Sequence, residues 1–340
     1  MSEKEKIKYS GVGGEALIEG IMMKGPYGAA MACRMPDGSI DLTRKEFKSV
    51  TDKFKILKKP FIRGPVNFAE QMLFGYKCMM ESAEKTAFDT DDMNEEEMSK
   101  LDKWLSDHFG PKMMAVIGAV AMVLGFGLAF LIFFYIPTLV TDLINEHIAH
   151  GGLDRFRPLI EGVMRMIIFV VYMWAVSQMS DIKRVFKYHG AEHKSIFCVE
   201  HGLELTIENV RKQSRFHPRC GTSFIFITII LSIVVSSLVV VIAPEIRDIR
   251  WLWIIVKILL LPLIMSIGYE CIRLAGKHDN AFTRALSAPG LMMQRITTKE
   301  PEDDIIEVGI AAIKAVIIPP EEAEKPEENA ESADENNEAE

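Results

Sequence analysis

Four long apolar runs, at 113–136, 159–179, 223–243 and 252–272, constrain this chain more than any other feature. Each has about the ~20 residues that carry a helix across ~30 Å of hydrocarbon. The run 223–243 is apolar on every side, so it has no face suited to water. The sequence therefore predicts a mainly α, polytopic membrane protein with about four transmembrane helices. A small N-terminal region containing a β-hairpin and a C-terminal amphipathic helix complete the expected fold. The opening residues, MSEKEKIKYS, are polar and no apolar stretch follows them, so no cleavable leader is expected. The first run then serves as both targeting signal and anchor.

Lysine and arginine in the short connections set the expected orientation. The segment 180–222 carries Lys183, Arg184, Lys187, Lys194, Arg211, Lys212, Arg215 and Arg219, whereas 137–158 has only Arg155 and Arg157 and 244–251 only Arg247 and Arg250. The approach to the first run is rich in lysine, and Arg273, Lys277 and Arg284 follow the fourth. A multi-pass protein of the cell membrane with both termini and the 180–222 segment in the cytoplasm satisfies all five connections. In the second run Glu161 and Arg165 stand one turn apart and are expected to pair or to snorkel, as is Lys257 in the fourth.

The net charge of −8 is a property of the tail. Residues 319–340 hold ten acidic residues and one lysine, which leaves the rest of the chain near neutrality. With no aromatic residue, this tail is expected to be disordered, a solubilising segment or an interaction arm. Five cysteines, at 33, 78, 198, 220 and 271, show no disulfide framework and suit a reducing compartment.

The expected organisation is a cytoplasmic region 1–112, spans 113–179, a His/Cys loop 180–222, spans 223–272, a segment 273–318 with a helix, and the tail. In the first region, 29–35 and 39–43 flank Pro36-Asp37-Gly38, a hairpin signal. From 60 to 85 the pattern turns helical, with Phe61, Phe68, Met72, Leu73, Tyr76 and Met79 recurring around Gly64-Pro65 and Gly75. Such a helix suits the membrane surface or the flank of the bundle. Residues 86–103 read as a polar linker. Leu17-Ile18-Glu19-Gly20-Ile21-Met22 resembles Leu159-Ile160-Glu161-Gly162-Val163-Met164, either by coincidence or as two helix starts with a close-packing glycine. After Pro301, acidic residues open a last helix whose isoleucines at 305, 306, 310, 313 and 317 share a face.

The chemistry is concentrated in 180–222. His189-Gly190-Ala191-Glu192-His193 is an H-x-x-E-H pattern, which on a helix places two imidazoles one turn apart and within reach of one metal ion. Glu192 then lies beside the ion as a candidate general base, as in the inverzincin peptidases. His217-Pro218-Arg219-Cys220 adds a second pair from a tight turn, and His with Cys suits zinc. Glu270, near the end of the fourth run, is a further candidate ligand. Glu200, His201, Glu204 and His278 are weaker ones, while His108, His147 and His150 fall elsewhere. The competing reading is a basic surface of histidines that bind nothing. Four protein ligands make a closed structural site, and three leave a catalytic one open. There is no P-loop and no G-x-S-x-G, and Gly11-Val12-Gly13-Gly14 is a weak phosphate signal. The basic segment can meet anionic lipid, and no specific nucleic acid is expected.

Gly13-Gly14-Glu15-Ala16-Leu17-Ile18-Glu19-Gly20-Ile21-Met22-Met23, YHGAEHKSIFCVEHGLELTIENVR from 188, FHPRCGTSF from 216, Ala288-Pro289-Gly290-Leu291 and the helix after Pro301 together resemble the YqhQ family of bacterial membrane proteins. The resemblance spans about residues 10 to 318, with the acidic tail outside it. It implies the membrane fold. Through the family's label of predicted metal-dependent enzyme, it also implies a metal site, but it brings no substrate. Two functions are consistent with all of this. One is a zinc-dependent hydrolase at the cytoplasmic membrane face, with metal at His189, His193, His217, Cys220 or Glu270 and catalysis by Glu192. The other is a scaffold with a structural metal, whose tail or last helix recruits a protein partner.

Overall fold

The computed structural model describes residues 10–87, 111–277 and 280–319. Most of the 86–103 linker, the acidic tail from 320, His108 and His278 lie outside the described residues.

Residues 13–45 form more than a hairpin. β1 (Gly13–Leu17), β2 (Gly20–Gly25), β3 (Gly28–Arg34) and β4 (Ile40–Lys45) make an antiparallel meander in the order β1-β2-β3-β4. The expected turn at Pro36-Asp37-Gly38 joins β3 to β4, with Arg34 opposite Ile40. The central strands read as continuous apolar runs because both faces of the sheet are covered. Ile21, Met23, Ala30 and Ala32 point to one side. There they meet the last helix, labelled here α12 (Asp303–Ile317), through Ile305, Val308, Ala312 and Ile313. Leu17, Met22, Met31 and Cys33 point to the other side, against Cys78 and Phe74 of a helix α2 (Arg63–Ala87). α2 follows a short α1 (Val50–Lys53) and is not broken at Gly75.

Four helices among the described residues are long and apolar enough to cross a membrane: Met122–His147, Asp154–Val176, Gly221–Ile242 and Arg250–Ala275. The first is built from α3 (Pro111–Phe130), a π-helical stretch Leu131–Tyr135 and α4 (Ile136–His147), so it continues past the expected end at 136. The others are α5 (Arg157–Val176), α8 (Gly221–Ile242) and α10 (Arg250–Lys277). Between α5 and α8, the expected loop is mostly helix: α6 (Ser180–Glu200) and α7 (Ile207–Arg211). α9 (Pro244–Asp248) turns the chain, and α11 (Ala281–Thr297) packs back along α8.

The ionisable groups inside the spans do not pair as expected. Glu161 is buried and accepts from Lys257 Nζ at 2.6 Å, Arg157 Nε at 3.1 Å and Trp253 Nε1 at 3.1 Å. Lys257 therefore does not snorkel; its second bond goes to Thr138 Oγ1 at 2.7 Å. Arg165 donates to the Phe133 carbonyl at 2.8 Å and to Ser232 Oγ at 3.3 Å. Pro137 explains the first of these bonds. It has no N–H to give the carbonyl four residues earlier, and Arg165 fills that vacancy. The two resembling segments also differ: the first is the turn between β1 and β2, with Glu19 at φ +50°, and the second lies within α5. They are not two helix starts.

The Glu161–Lys257 bond ties the second and fourth spans together where no water can replace it. Lys257→Met is expected to cost about 3 kcal/mol, because it strands part of a buried carboxylate. Adding Glu161→Gln should return part of that loss. Thermal unfolding of both variants in one detergent measures this; equal midpoints for parent and Lys257→Met would show that the pair contributes nothing.

Candidate metal centre

α6 is the element that carries the candidate site, and its sequence is too polar to be buried without partners. Residues 190–198 are all buried, among them Glu192, His193, Lys194 and Ser195. Burial is possible because one side of α6 meets β1 and β2 and another meets α12. Across a third side runs the strap after α11, where Lys299 N donates to the Phe186 carbonyl at 2.8 Å. The strap comes so close that a Cβ on Gly190 would stand 2.0 Å from the Lys299 carbonyl oxygen. Only glycine fits there.

His189, His193 and Cys220 come together. One ligand atom from each lies within 4.8 Å of the other two. The two imidazole centroids are 4.4 Å apart, and His189 Nε2 lies 3.2 Å from Cys220 Sγ. The other nitrogens decide the chemistry. His189 Nδ1 lies 2.8 Å from the Thr297 carbonyl oxygen, and His193 Nδ1 lies 2.6 Å from that of Arg215. A carbonyl can only accept, so both Nδ1 atoms carry a hydrogen and both Nε2 atoms are left to face Cys220. This is how proteins fix the tautomer of a metal-ligating histidine. Burial pushes the His193 imidazole down, towards the neutral form that binds metal. Burial alone would raise the Cys220 thiol. The charge of a protonated His193 and the Thr222 hydroxyl and N–H outweigh it and hold the thiol below its ordinary range, so without an ion the thiolate goes with an imidazolium at His193.

Glu192 points from the same helix towards β1. It is fully buried, which pushes its carboxyl up to about 8, against the field of His189 and a hydrogen bond from the Gly14 N–H. The contact with β1 is tight, since a Cβ on Gly14 would stand 3.0 Å from Glu192 Cγ.

The other two candidate ligands are occupied. His217 Nε2 faces the Glu200 carboxylate at 3.4 Å, and its Nδ1 accepts from Arg219 N at 3.4 Å. Its ring is 5.5 Å from that of His193, and its backbone is held by the Gln294 side chain at 2.7 and 2.8 Å. Glu270 forms a bidentate ion pair with Arg63 at 2.6 and 2.7 Å. Neither belongs to the cluster of three. Glu204 and His201 stand apart from it too, His201 bonding Gln213 at 2.8 Å. A surface cavity of about 620 Å³, lined by Glu19, Arg34, Arg184 and Asp304, includes none of the cluster.

A family model described as "Protein of unknown function (DUF1385)" matches residues 59–318. The chain belongs to that family. It is also 36% identical over 308 residues to "Uncharacterized protein YqhQ" of Bacillus subtilis (strain 168), covering 90% of this chain and 92% of the relative. No solved structure matches. Neither description names a metal, a substrate or a reaction, so the label of metal-dependent enzyme finds no support there. For this DUF1385 chain the site must be argued from its own residues.

One carboxylate escaped the sequence reading. Glu15 of β1 faces α2, where a Cβ on Gly75 would stand 1.9 Å from its Oε2. It bonds the Gln71 side chain and feels His189, and burial raises its carboxyl. The field of Glu15 also acts on Glu192, so two acidic groups lie where α6 meets β1. The only signal for it was a lone ionisable residue in GGEAL, ahead of the part that the family model matches.

Glu200 has a structural role next to the site. Burial would raise its carboxyl, but His217, Arg219 and the Ser10 backbone outweigh that and hold it at about 2. A depressed folded value contributes stability above the unfolded value of 4.5, and that stability fades as pH falls towards about 2. Glu200→Gln is expected to cost about 2 kcal/mol at neutral pH. The gap between its melting temperature and the parent's should narrow as pH drops from ~5 towards ~2. A gap that stays constant across that range would remove the charge from the account.

Proposed function

We propose that this chain is a zinc protein of the cell membrane. In this reading His189, His193 and Cys220 hold one divalent ion at the cytoplasmic end of the four-helix domain, and Glu192 makes the site hydrolytic. The observation that carries the proposal is the pair of Nδ1–H bonds to the Thr297 and Arg215 carbonyls, which turns both Nε2 atoms towards the Cys220 thiol. Nothing about a bare basic surface requires that arrangement. Two imidazoles and a thiolate are zinc ligands by preference. Held by these three residues, such an ion would supply Lewis acidity to a water or substrate group.

The chain's own residues do the rest. In a hydrolase Glu192, held by the Gly14 N–H and with its carboxyl up at about 8, would act in its ionised form: it would take one proton of the attacking water as the oxygen bonds the electrophilic centre, and return it to the leaving group as the bond to that group breaks. The Thr297 and Arg215 carbonyls keep the Nδ1 hydrogens of His189 and His193 away from the ion, and burial favours the neutral form of His193. His217 supports the turn that delivers Cys220, through Glu200 and Gln294. In the scaffold reading Glu192 would orient a ligand and carry no proton, the metal would staple the segment, and the tail or last helix would recruit a protein partner.

Metal analysis of the purified protein comes first. About one equivalent of zinc is expected, with at least ~10-fold less in His189→Ala and Cys220→Ser. Less than about a tenth of an equivalent in the parent would leave the cluster without a metal. Glu192→Gln then separates the two readings. In a hydrolase the metal stays and the ability to complement a deletion strain falls by ~10²–10⁴ in rate. Full complementation with metal retained would remove the hydrolase. For orientation, a cysteine introduced at the exposed Ser214 should react only with reagent on the cytoplasmic side; labelling from outside would move the site to the opposite compartment.

A further inference from the structure

α2 has two faces, and only one of them is accounted for by the fold. Its inner face carries Gln71 and Gly75 against Glu15, and Cys78 against the sheet. Its outer face is open. Between 69 and 80 the exposed residues are Ala69, Met72, Leu73, Tyr76, Lys77 and Met80. They lie three or four apart, on one side of the helix. Five of the six are uncharged, and the sixth is a lysine. Leu73 is 65% exposed and Met72, Tyr76 and Met80 are each more than half exposed. A helix face turned to water would be charged or polar.

Where this helix starts shows what covers it. Arg63 grips Glu270 of α10, Asn67 Nδ2 donates to Tyr269 Oη at 2.9 Å, and a Cβ on Gly64 would stand 3.0 Å from Ser266 Cα. Glu270 is five residues short of the end of the span Arg250–Ala275, so the grip lies ~7.5 Å from that end. The outer face of α2 thus continues the apolar surface of α10, where Ile255, Leu259 and Leu263 are exposed. Just ahead of it lies a basic and apolar stretch. Phe54, Ile56 and Phe61 are each 58% exposed, between Lys53, Lys55, Lys58 and Lys59. Lys58 bonds Asp52 at 2.9 Å; among the described residues the other three make no ion pair. A cationic head beside an apolar helix face fits a leaflet containing anionic lipids. A second copy of this chain would bring like charge to like charge.

We propose that residues 50–80 form an interfacial arm. α2 lies along the leaflet at the sheet-bearing end of the bundle, with Met72, Leu73, Tyr76 and Met80 in the acyl boundary. Lys53, Lys55 and Lys59 bind the phosphates of anionic lipids. The inner face of α2 carries the Gln71–Glu15 contact, so the candidate metal centre lies directly beneath that leaflet; this last consequence alone rests on the function proposed above.

The full chain in lipid nanodiscs tests the arm. Spin labels on Leu73→Cys and Met80→Cys are compared with Leu259→Cys in a span and Ser214→Cys in solvent, against the unsubstituted protein as background. Labels at 73 and 80 should relax with oxygen rather than with a water-soluble nickel chelate, at a depth of about 5–10 Å. Nickel access equal to that at 214 would overturn the proposal. So would spin–spin broadening at 73 that vanishes on dilution with unlabelled protein, because a second copy would then cover the face. The headgroup contact is read separately, as phosphatidylglycerol retained over phosphatidylcholine by native mass spectrometry. Lys53→Gln, Lys55→Gln and Lys59→Gln together should lower that preference by about fivefold per lysine; an unchanged preference would remove the headgroup contact. The zinc content of the same samples is independent of both outcomes, so failure of the arm and failure of the metal reading remain distinguishable.

Discussion

The structure depends on burying α6, a helix whose sequence does not suit a core. A polar side chain removed from water must find a partner, and a charged one must find a good one. Glu192, His193, Lys194 and Glu200 all face this requirement within nine residues. Each is met by a different part of the chain: Gly14 for Glu192, the Arg215 carbonyl for His193, the Arg211 carbonyl and Glu300 for Lys194, and Ser10, His217 and Arg219 for Glu200. On α6, Ser195 is the exception. Its hydroxyl has no partner and lies against α12, 2.7 Å from where a Cβ of Gly309 would be. The helix therefore organises β1, the turn at 211–220, the strap at 298–302 and α12 around itself.

The membrane domain solves the same problem with different means. Glu161 and Lys257 are as buried as Glu192, but they satisfy each other directly, with Arg157, Trp253 and Thr138 completing the set. That arrangement is saturated, and its value is the association of three spans. The cluster on α6 is not saturated. Two Nε2 atoms converge on the Cys220 sulfur, whose other partner is the Thr222 hydroxyl at 3.3 Å. A saturated network reads as structure, and a convergent, incompletely partnered one as a candidate site.

Much of this was legible in the sequence where the signal was local. The four spans follow from apolar length, the hairpin from Pro36-Asp37-Gly38, and the His189–His193 pair from helical spacing. What the sequence left open concerns side chains whose partner is far along the chain. The spacing of His217 and Cys220 suits a chelating turn, but Glu200 and Gln294 decide where the His217 ring points. Glu270 looked available until Arg63, 207 residues away, took both of its oxygens. Arg165 stands one turn from Glu161, yet it serves a carbonyl that Pro137 leaves open on a neighbouring span. Glu15 becomes a site residue only because the sheet packs on α6 and Gly75 clears a space for its carboxylate.

The last helix is what makes the candidate site a property of the whole fold. The His189 tautomer is set by the Thr297 carbonyl, at the end of α11, and the His193 tautomer by the Arg215 carbonyl, in the turn before α8. Glu300 ties these two places together, pairing with Lys194 and with Arg215 at 3.8 Å. Glu300 is in turn positioned by the strap, which can lie across Gly190 only if α12 docks on the sheet through Ile305, Val308, Ala312 and Ile313. The apolar face of α12 is therefore occupied within the chain. Its docking holds in register the two carbonyls that aim the imidazoles, so the geometry of the cluster and the stability of the sheet layer are coupled through one strap of five residues, 298–302.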